Sequence, residues 1–189
     1  MVRLLVFSGS TRAGSLNTRL AKAAATQLKK AGAEVTEISL ADFALPFSDA
    51  TGFGNTPEAA TKFRTLIDAH HGLFIACPEY NAGYPALLKN ALDWATIAKP
   101  GAPATGLKGK VVALGGASPG AMGGYRALTQ LRTSLELGFG ALVIPEMVSV
   151  GFADKTLGED GAISDERVAG FLAAAIESLV REAARGSIS

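Results

Sequence analysis

An α/β fold built on a doubly wound parallel sheet is what this chain predicts, and three observations carry the reading. Short apolar runs alternate with longer segments of helical period. Loops rich in glycine and hydroxyl residues follow several of the runs. No repeat, linker or low-complexity tract divides the 189 residues, so residues 1–189 read as a single domain. Runs and helices in alternation give parallel strands with helices on both faces. In such sheets ligands bind beyond the carboxyl ends of the strands, near the switch in strand order, which directs attention to the loops after the first, third and fourth runs.

The first run, Leu4-Leu5-Val6-Phe7, breaks at Ser8-Gly9-Ser10. The helix after it carries Leu16, Leu20, Ala24 and Leu28 on one face and ends at Gly32 in the C′ position. Glu34 to Leu40 alternates Val35 and Ile38 with polar residues, as a strand near an edge does. A long connection, Ala41 to Thr56, is of a length that compact domains commonly use for function. Thr56-Pro57-Glu58 then starts a helix with a hydroxyl cap, proline at N1 and an acid facing the dipole; Phe63, Leu66 and Ile67 are its apolar face. Gly72 to Cys77 is a continuous apolar run closed by Pro78, the pattern of a strand buried on both sides. Lys110–Gly115 is the fourth run, followed by a glycine-rich stretch and a helix with Leu128, Leu131 and Leu135. Ala141–Ile144 is the fifth; it stops at Pro145 and resumes at Val148–Val150. A last helix runs from Ser164 to Arg181 with Val168, Phe171, Leu172, Ile176 and Leu179 inward.

Composition bounds the function. Apolar residues are 48% and charged residues 19%, a globular balance, and 18 basic against 17 acidic side chains leave no footprint for nucleic acid or an anionic membrane. The amino-terminal apolar run falls far below the roughly 18 residues of a membrane span. Cys77 stands alone, so no disulfide forms within the chain, which suits a cytoplasmic setting.

The loop Ser8–Asn17 joins a buried strand to a helix amino terminus, where unpaired amides and the dipole favour an anion. Ser10, Thr11 and Ser15 add hydroxyls, Asn17 an amide, and Arg12 a planar fork suited to phosphate oxygens. The plainer alternative is a polar turn in which Ser15 caps the helix. Other phosphate loops fit less well. Ser15-Leu16 stands where a P-loop needs lysine followed by a hydroxyl residue, Thr11 where the dinucleotide fingerprint needs glycine, and Gly83 where a phosphatase loop headed by Cys77 needs arginine. The second loop, Pro78–Pro85, is stiff at both ends, with Gly83 free to take a positive φ; it suits the edge of a planar heterocycle, with Tyr80 or Tyr84 beside the face, or is simply a strand–helix connection. The third, Gly115–Arg126, has glycine at 115, 116, 120, 123 and 124, a density that implies that something approaches closely, unless it is a plain flexible turn.

Taken together, Gly9–Asn17, Pro78–Asn81, Lys89–Trp94, Ser118–Gly120, Gly123-Gly124, Arg126 and Gln130–Arg132 closely resemble the NADPH-dependent FMN reductase family. The resemblance implies a flavodoxin-like three-layer sandwich whose five parallel strands are ordered 2-1-3-4-5. It implies that Ser10, Arg12, Ser15 and Asn17, with Leu16 beside them, hold the FMN phosphate. It implies that Pro78, Glu79, Tyr80 and Asn81 line the isoalloxazine, and that Ser118 and Gly120 form part of the opposite wall. FMN is then the cofactor and NADPH or NADH the hydride donor, with a small acceptor such as a quinone, azo compound or chromate reduced in a ping-pong cycle. Homodimers or homotetramers are the family habit. A reductase of free, diffusible FMN and a flavodoxin-like electron carrier are the alternatives, the latter disfavoured by the even charge balance.

The remaining residues have plainer readings. Cys77 is an inert core thiol. His70 and His71 complement a helix dipole without metal-ligand company. Trp94 packs, Arg126 and Arg132 make ion pairs at a subunit interface or lie on a solvated face, and Glu79 offers a flavin its backbone alone.

Overall fold

The computed structural model describes residues 1–48, 55–97 and 106–186. Five parallel strands form one sheet: β1 (Arg3–Ser8), β2 (Glu34–Ser39), β3 (Gly72–Ala76), β4 (Val111–Ala117) and β5 (Leu142–Val150), in the order β2-β1-β3-β4-β5. The helices are α1 (Leu16–Lys30), α2 (Glu58–Ala69), α3 (Ala86–Thr96), α4 (Tyr125–Thr133), the short α5 (Ala153–Thr156) and α6 (Glu166–Gly186). This is the flavodoxin-like sandwich that the sequence implies. Its switch point lies between β1 and β3, where the connections part to opposite sides.

The pleat sorts the core into two halves. Leu4, Val6, Phe74, Ala76, Val111 and Ala113 face α1 and α6, while Leu5, Phe7, Leu73, Ile75, Val112 and Leu114 meet residues of α2, α3 and α4 such as Phe63, Leu88 and Leu128. Neighbouring strand residues thus serve opposite layers, and for that reason these strands read as unbroken apolar runs. β2 is buried on neither face and alternates, as an edge strand does.

The differences from the sequence reading have local causes. β5 is continuous through Pro145, but its register against β4 shifts, with Val112 opposite Val143 and Leu114 opposite Met147. The missing N–H of proline is absorbed in that irregularity on an edge strand. α2 begins one residue later than expected, with Pro57 at the N-cap and no side-chain cap, and Thr56 Oγ1 is buried without a partner. α6 begins after Asp165, whose Oδ1 accepts the amides of Arg167 and Val168, and runs on to Gly186. A single 3₁₀ turn, Leu40–Asp42, follows β2, held by a reciprocal Ser39–Asp42 capping box. Within the long connection expected at 41–56, residues 49–54 lie outside the described residues. Gly32 follows the C-cap Ala31 at φ +83°, as read. No described helix is long and apolar enough to cross a membrane.

Candidate functional site

The loops after β1, β3 and β4 meet at the carboxyl edge of the sheet and enclose a cleft of about 110 Å³. Its walls are Ser10, Arg12, Ser15, Leu16 and Asn17 from the first loop and Pro78, Glu79 and Tyr80 from the second, with Ala117, Ser118 and Pro119 from the third. Asn81 and Gly120 lie in the same loops but outside this lining. Larger hollows exist, about 250 Å³ between α1 and the β2 edge and about 630 Å³ between α1 and α6. Volume does not choose among them; donor chemistry at the strand ends does.

The first loop has the chemistry of an anion cradle. Ser15 is the N-cap of α1 and only 3% exposed, yet its side chain makes no cap hydrogen bond, and the first turn carries no acid. The reading of Ser15 as a mere helix cap therefore does not hold. The positive end of a fifteen-residue helix thus has neither a side-chain cap nor an acid of its own first turn, while Ser8 and Ser10 accept the amides of Ser10 and Arg12, shaping the turn. Arg12 is exposed at the lip. Asn17 is employed otherwise: its amide and carbonyl pair with the backbone of Ala117 at 2.9 Å each, tying the first loop to the third. One amide hydrogen of Asn17 remains for a ligand.

The second loop is a two-residue reverse turn. Tyr80 and Gly83 exchange backbone hydrogen bonds at 2.9 Å, and the left-handed conformations fall on Asn81 (φ +50°) and Ala82 (φ +65°), not on Gly83. This is the geometry of a type I′ turn. Gly83 lies beneath Gln130: a Cβ there would come within 3.3 Å of Gln130 Oε1, the movable end of an exposed side chain.

Glu79 presents its side chain, not only its backbone. The carboxylate is 9% exposed, and Oε1 takes both Nε (2.7 Å) and Nη2 of Arg126. Oε2 is covered and has no hydrogen bond of ordinary geometry. Its pKa lies below the ordinary carboxylate value, chiefly through the Arg126 hydrogen bond, then against the opposing effect of burial, with further help from the Arg126 charge and the Ala127 and Arg126 amides. The carboxylate is thus held between the Arg126 guanidinium and the amides at the start of α4, and it fixes the second loop against that helix. Arg126 is thereby an intramolecular ion pair, and Arg132 pairs with the Ile144 carbonyl and, at 3.6 Å, with Glu136.

The third loop shows what approaches its glycines. A Cβ on Gly115 would meet Phe74 Cζ at 2.8 Å, and one on Gly116 would meet the Gly123 carbonyl at 2.7 Å. Most of the glycine density is therefore demanded by the protein's own packing. Gly120 is the exception: only Ser118 Oγ comes near, at 3.8 Å, and its carbonyl accepts the Ser118 hydroxyl and the Phe152 amide. Phe152 is half exposed and left-handed (φ +49°), a strained position beside the loop that no sequence signal marked.

The plainer residues divide. Cys77 is fully buried, with its thiol pushed far up by desolvation and by Glu79. Trp94 is buried and donates Nε1–H to the Pro46 carbonyl at 2.6 Å. His71 does not complement the helix dipole: its Nδ1 accepts the Arg3 amide at 2.9 Å, and burial, with Arg3 and Lys110 nearby, lowers its pKa. His70 is buried with its ring between the Leu66 carbonyl and the Thr36 hydroxyl. Among the described residues no group of three or more His, Cys, Asp or Glu is placed to hold a metal ion.

Fold and cleft together define a flavodoxin-like protein with a hydroxyl-rich loop and a helix amino end at its switch point. A sequence model of the NADPH-dependent FMN reductases matches residues 2–155. An NAD(P)H-dependent FMN reductase of Pseudomonas aeruginosa is 34% identical over 167 residues, covering 88% of this chain and 86% of its own. A 2-hydroxy-1,4-benzoquinone reductase of a Burkholderia species is 36% identical over 140 residues, covering 69% of this chain and 68% of the relative. Among solved structures, the NAD(P)H:(acceptor) flavoenzyme FerB of Paracoccus denitrificans superposes with a TM-score of 0.81 at 28% identity, covering 98% of this chain and 99% of that one. The chain belongs to the NADPH-dependent FMN reductase family. It is an oxidoreductase whose cofactors are FMN and a reduced nicotinamide.

Proposed function

We propose that the protein holds FMN in this cleft and reduces a small acceptor, with quinones, azo compounds and chromate as the acceptor classes. The observation that carries the reading is the amino end of α1, with no side-chain cap and no acid in its first turn, opening on hydroxyls and Arg12 in a cleft walled by the second and third loops. A seat for an anion at one end and two facing loops beyond it suit a flavin phosphate and the body of the cofactor.

Ser10, Arg12, Ser15, Leu16 and Asn17 take the phosphate end, by hydroxyls, guanidinium and helix amides. Pro78, Glu79, Tyr80 and Asn81 form the wall against the ring, and Ser118 and Gly120 the wall opposite. When bound, FMN supplies the redox chemistry, receiving hydride from a reduced nicotinamide and passing it to the acceptor in ping-pong order. The chain's own part is placement: rigid loops hold the cofactor and leave one side open for two substrates in turn. A general acid or nucleophile has no role in that account, and the buried, unionised thiol of Cys77 takes none. We further propose a cytoplasmic homodimer or homotetramer; the heavily exposed Leu137 and Leu142 support an apolar contact surface.

Initial rates with varied NADPH at several fixed concentrations of a benzoquinone test the mechanism. Parallel double-reciprocal lines are expected. Lines that intersect would show both substrates bound together and contradict the ping-pong order.

A further inference from the structure

One face of α4 is joined to the cofactor loop at three points. Arg126 holds the Glu79 carboxylate, Gln130 donates Nε2–H to the Ala82 carbonyl at 2.8 Å, and Ser134 shares a 2.9 Å hydroxyl contact with Tyr84. These three residues are spaced by four, so they form a stripe along the helix and into the π turn, Ser134–Gly138, that follows it. On the loop side the contacts fall before, within and after the type I′ turn.

The turn needs such a hold. Asn81 and Ala82 are both left-handed, a conformation that disfavours a Cβ, and it persists only where the surroundings over-determine it. Gln130 is the side chain seated on the strained residue. Its Oε1 also lies over position 83, 3.3 Å from where a Cβ would stand, so the same side chain spans both residues of the turn's second half.

We propose that this face of α4 is the positioning device for the cofactor loop, and that Gln130 is a positioning residue. It acts through the Ala82 carbonyl to keep Pro78–Asn81 in the conformation that meets the flavin. The inference rests on the FMN reading of the cleft. Gln130 is exposed, so its replacement leaves the core untouched.

The test uses the full chain stripped of flavin, as wild type, Gln130→Ala, Gln130→Glu, Ala82→Gly and the Gln130→Ala/Ala82→Gly double variant. Each is titrated with FMN by quenching of flavin fluorescence, and each flavin-free protein is melted. Gln130→Ala is expected to weaken FMN binding about tenfold, the scale of one hydrogen bond, with the flavin-free melt close to wild type. Gln130→Glu keeps the shape but sets an acceptor against a carbonyl oxygen, and loses at least as much. Ala82→Gly relieves the strain and recovers most of the affinity in the double variant. If wild type binds FMN and both Gln130 variants bind it equally well, the positioning role is overturned while the cofactor reading stands. A loss that Ala82→Gly fails to recover also overturns it, because strain in the turn is then not what Gln130 restrains. Wild type that takes up no FMN removes the cofactor reading itself.

Discussion

Ala82 shows how a single residue can be legible in type and not in conformation. Nothing in Tyr80-Asn81-Ala82-Gly83 marks alanine as left-handed, and glycine next door draws the positive φ by default. The structure reverses that assignment, because register in the turn is fixed by the paired backbone bonds of Tyr80 and Gly83 and by the seat of Gln130. Ala82→Gly is therefore expected to stabilise the protein by roughly 0.5 to 1 kcal/mol, the relief of a Cβ in the left-handed region less the added backbone entropy. Urea unfolding at neutral pH measures it, and a destabilised variant would contradict the assignment. Glu79 was visible as a loop residue but not as a buried carboxylate, since its partner Arg126 is distant in sequence and met only through the placement of α4. The same distance concealed the tie between Asn17 and Ala117, which draws on an amide the sequence assigns to phosphate.

Elements were more readable than residues, and for a physical reason. β1, β3 and β4 serve both layers at once, so their burial is written as unbroken apolar runs, and the loops that follow them announce the site by composition. Helix ends were displaced wherever a cap chose a neighbour: Asp165 starts α6 later than Ser164 would, and Pro57 displaces Thr56 at α2. The third loop was legible as special and its glycines as marking a close approach, but not that most of that approach is by the chain itself. Two substitutions separate those roles. Gly116→Ala drives a Cβ into the Gly123 carbonyl, backbone against backbone, and is expected to lower flavin-free stability by about 1 to 3 kcal/mol. Gly120→Ala meets only Ser118 Oγ at 3.8 Å and is expected to leave flavin-free stability unchanged while weakening FMN uptake. Equal losses of flavin-free stability in the two variants would show that the whole loop is packing.

At the scale of the molecule, the order β2-β1-β3-β4-β5 brings the loops after β1, β3 and β4 to one edge, and this is why three stretches far apart in sequence form one cleft. The polar groups gathered there are a helix end without a side-chain cap, the Ser10, Ser15 and Ser118 side chains, and the Glu79 carboxylate held by Arg126. Family membership gives the cofactor chemistry, and our proposal puts it in this cleft. The choice between NADPH and NADH was not legible, because no loop in the sequence marks a pocket for the 2′-phosphate. The central claim is that FMN bound in this cleft exchanges electrons with a reduced nicotinamide. Its most direct test is the visible spectrum of the purified protein after FMN loading and removal of excess, recorded anaerobically before and after NADPH. The account predicts oxidised-flavin bands that remain with the protein and bleach on addition. Bands that wash away, or that stay unchanged with NADPH and with NADH, would contradict it.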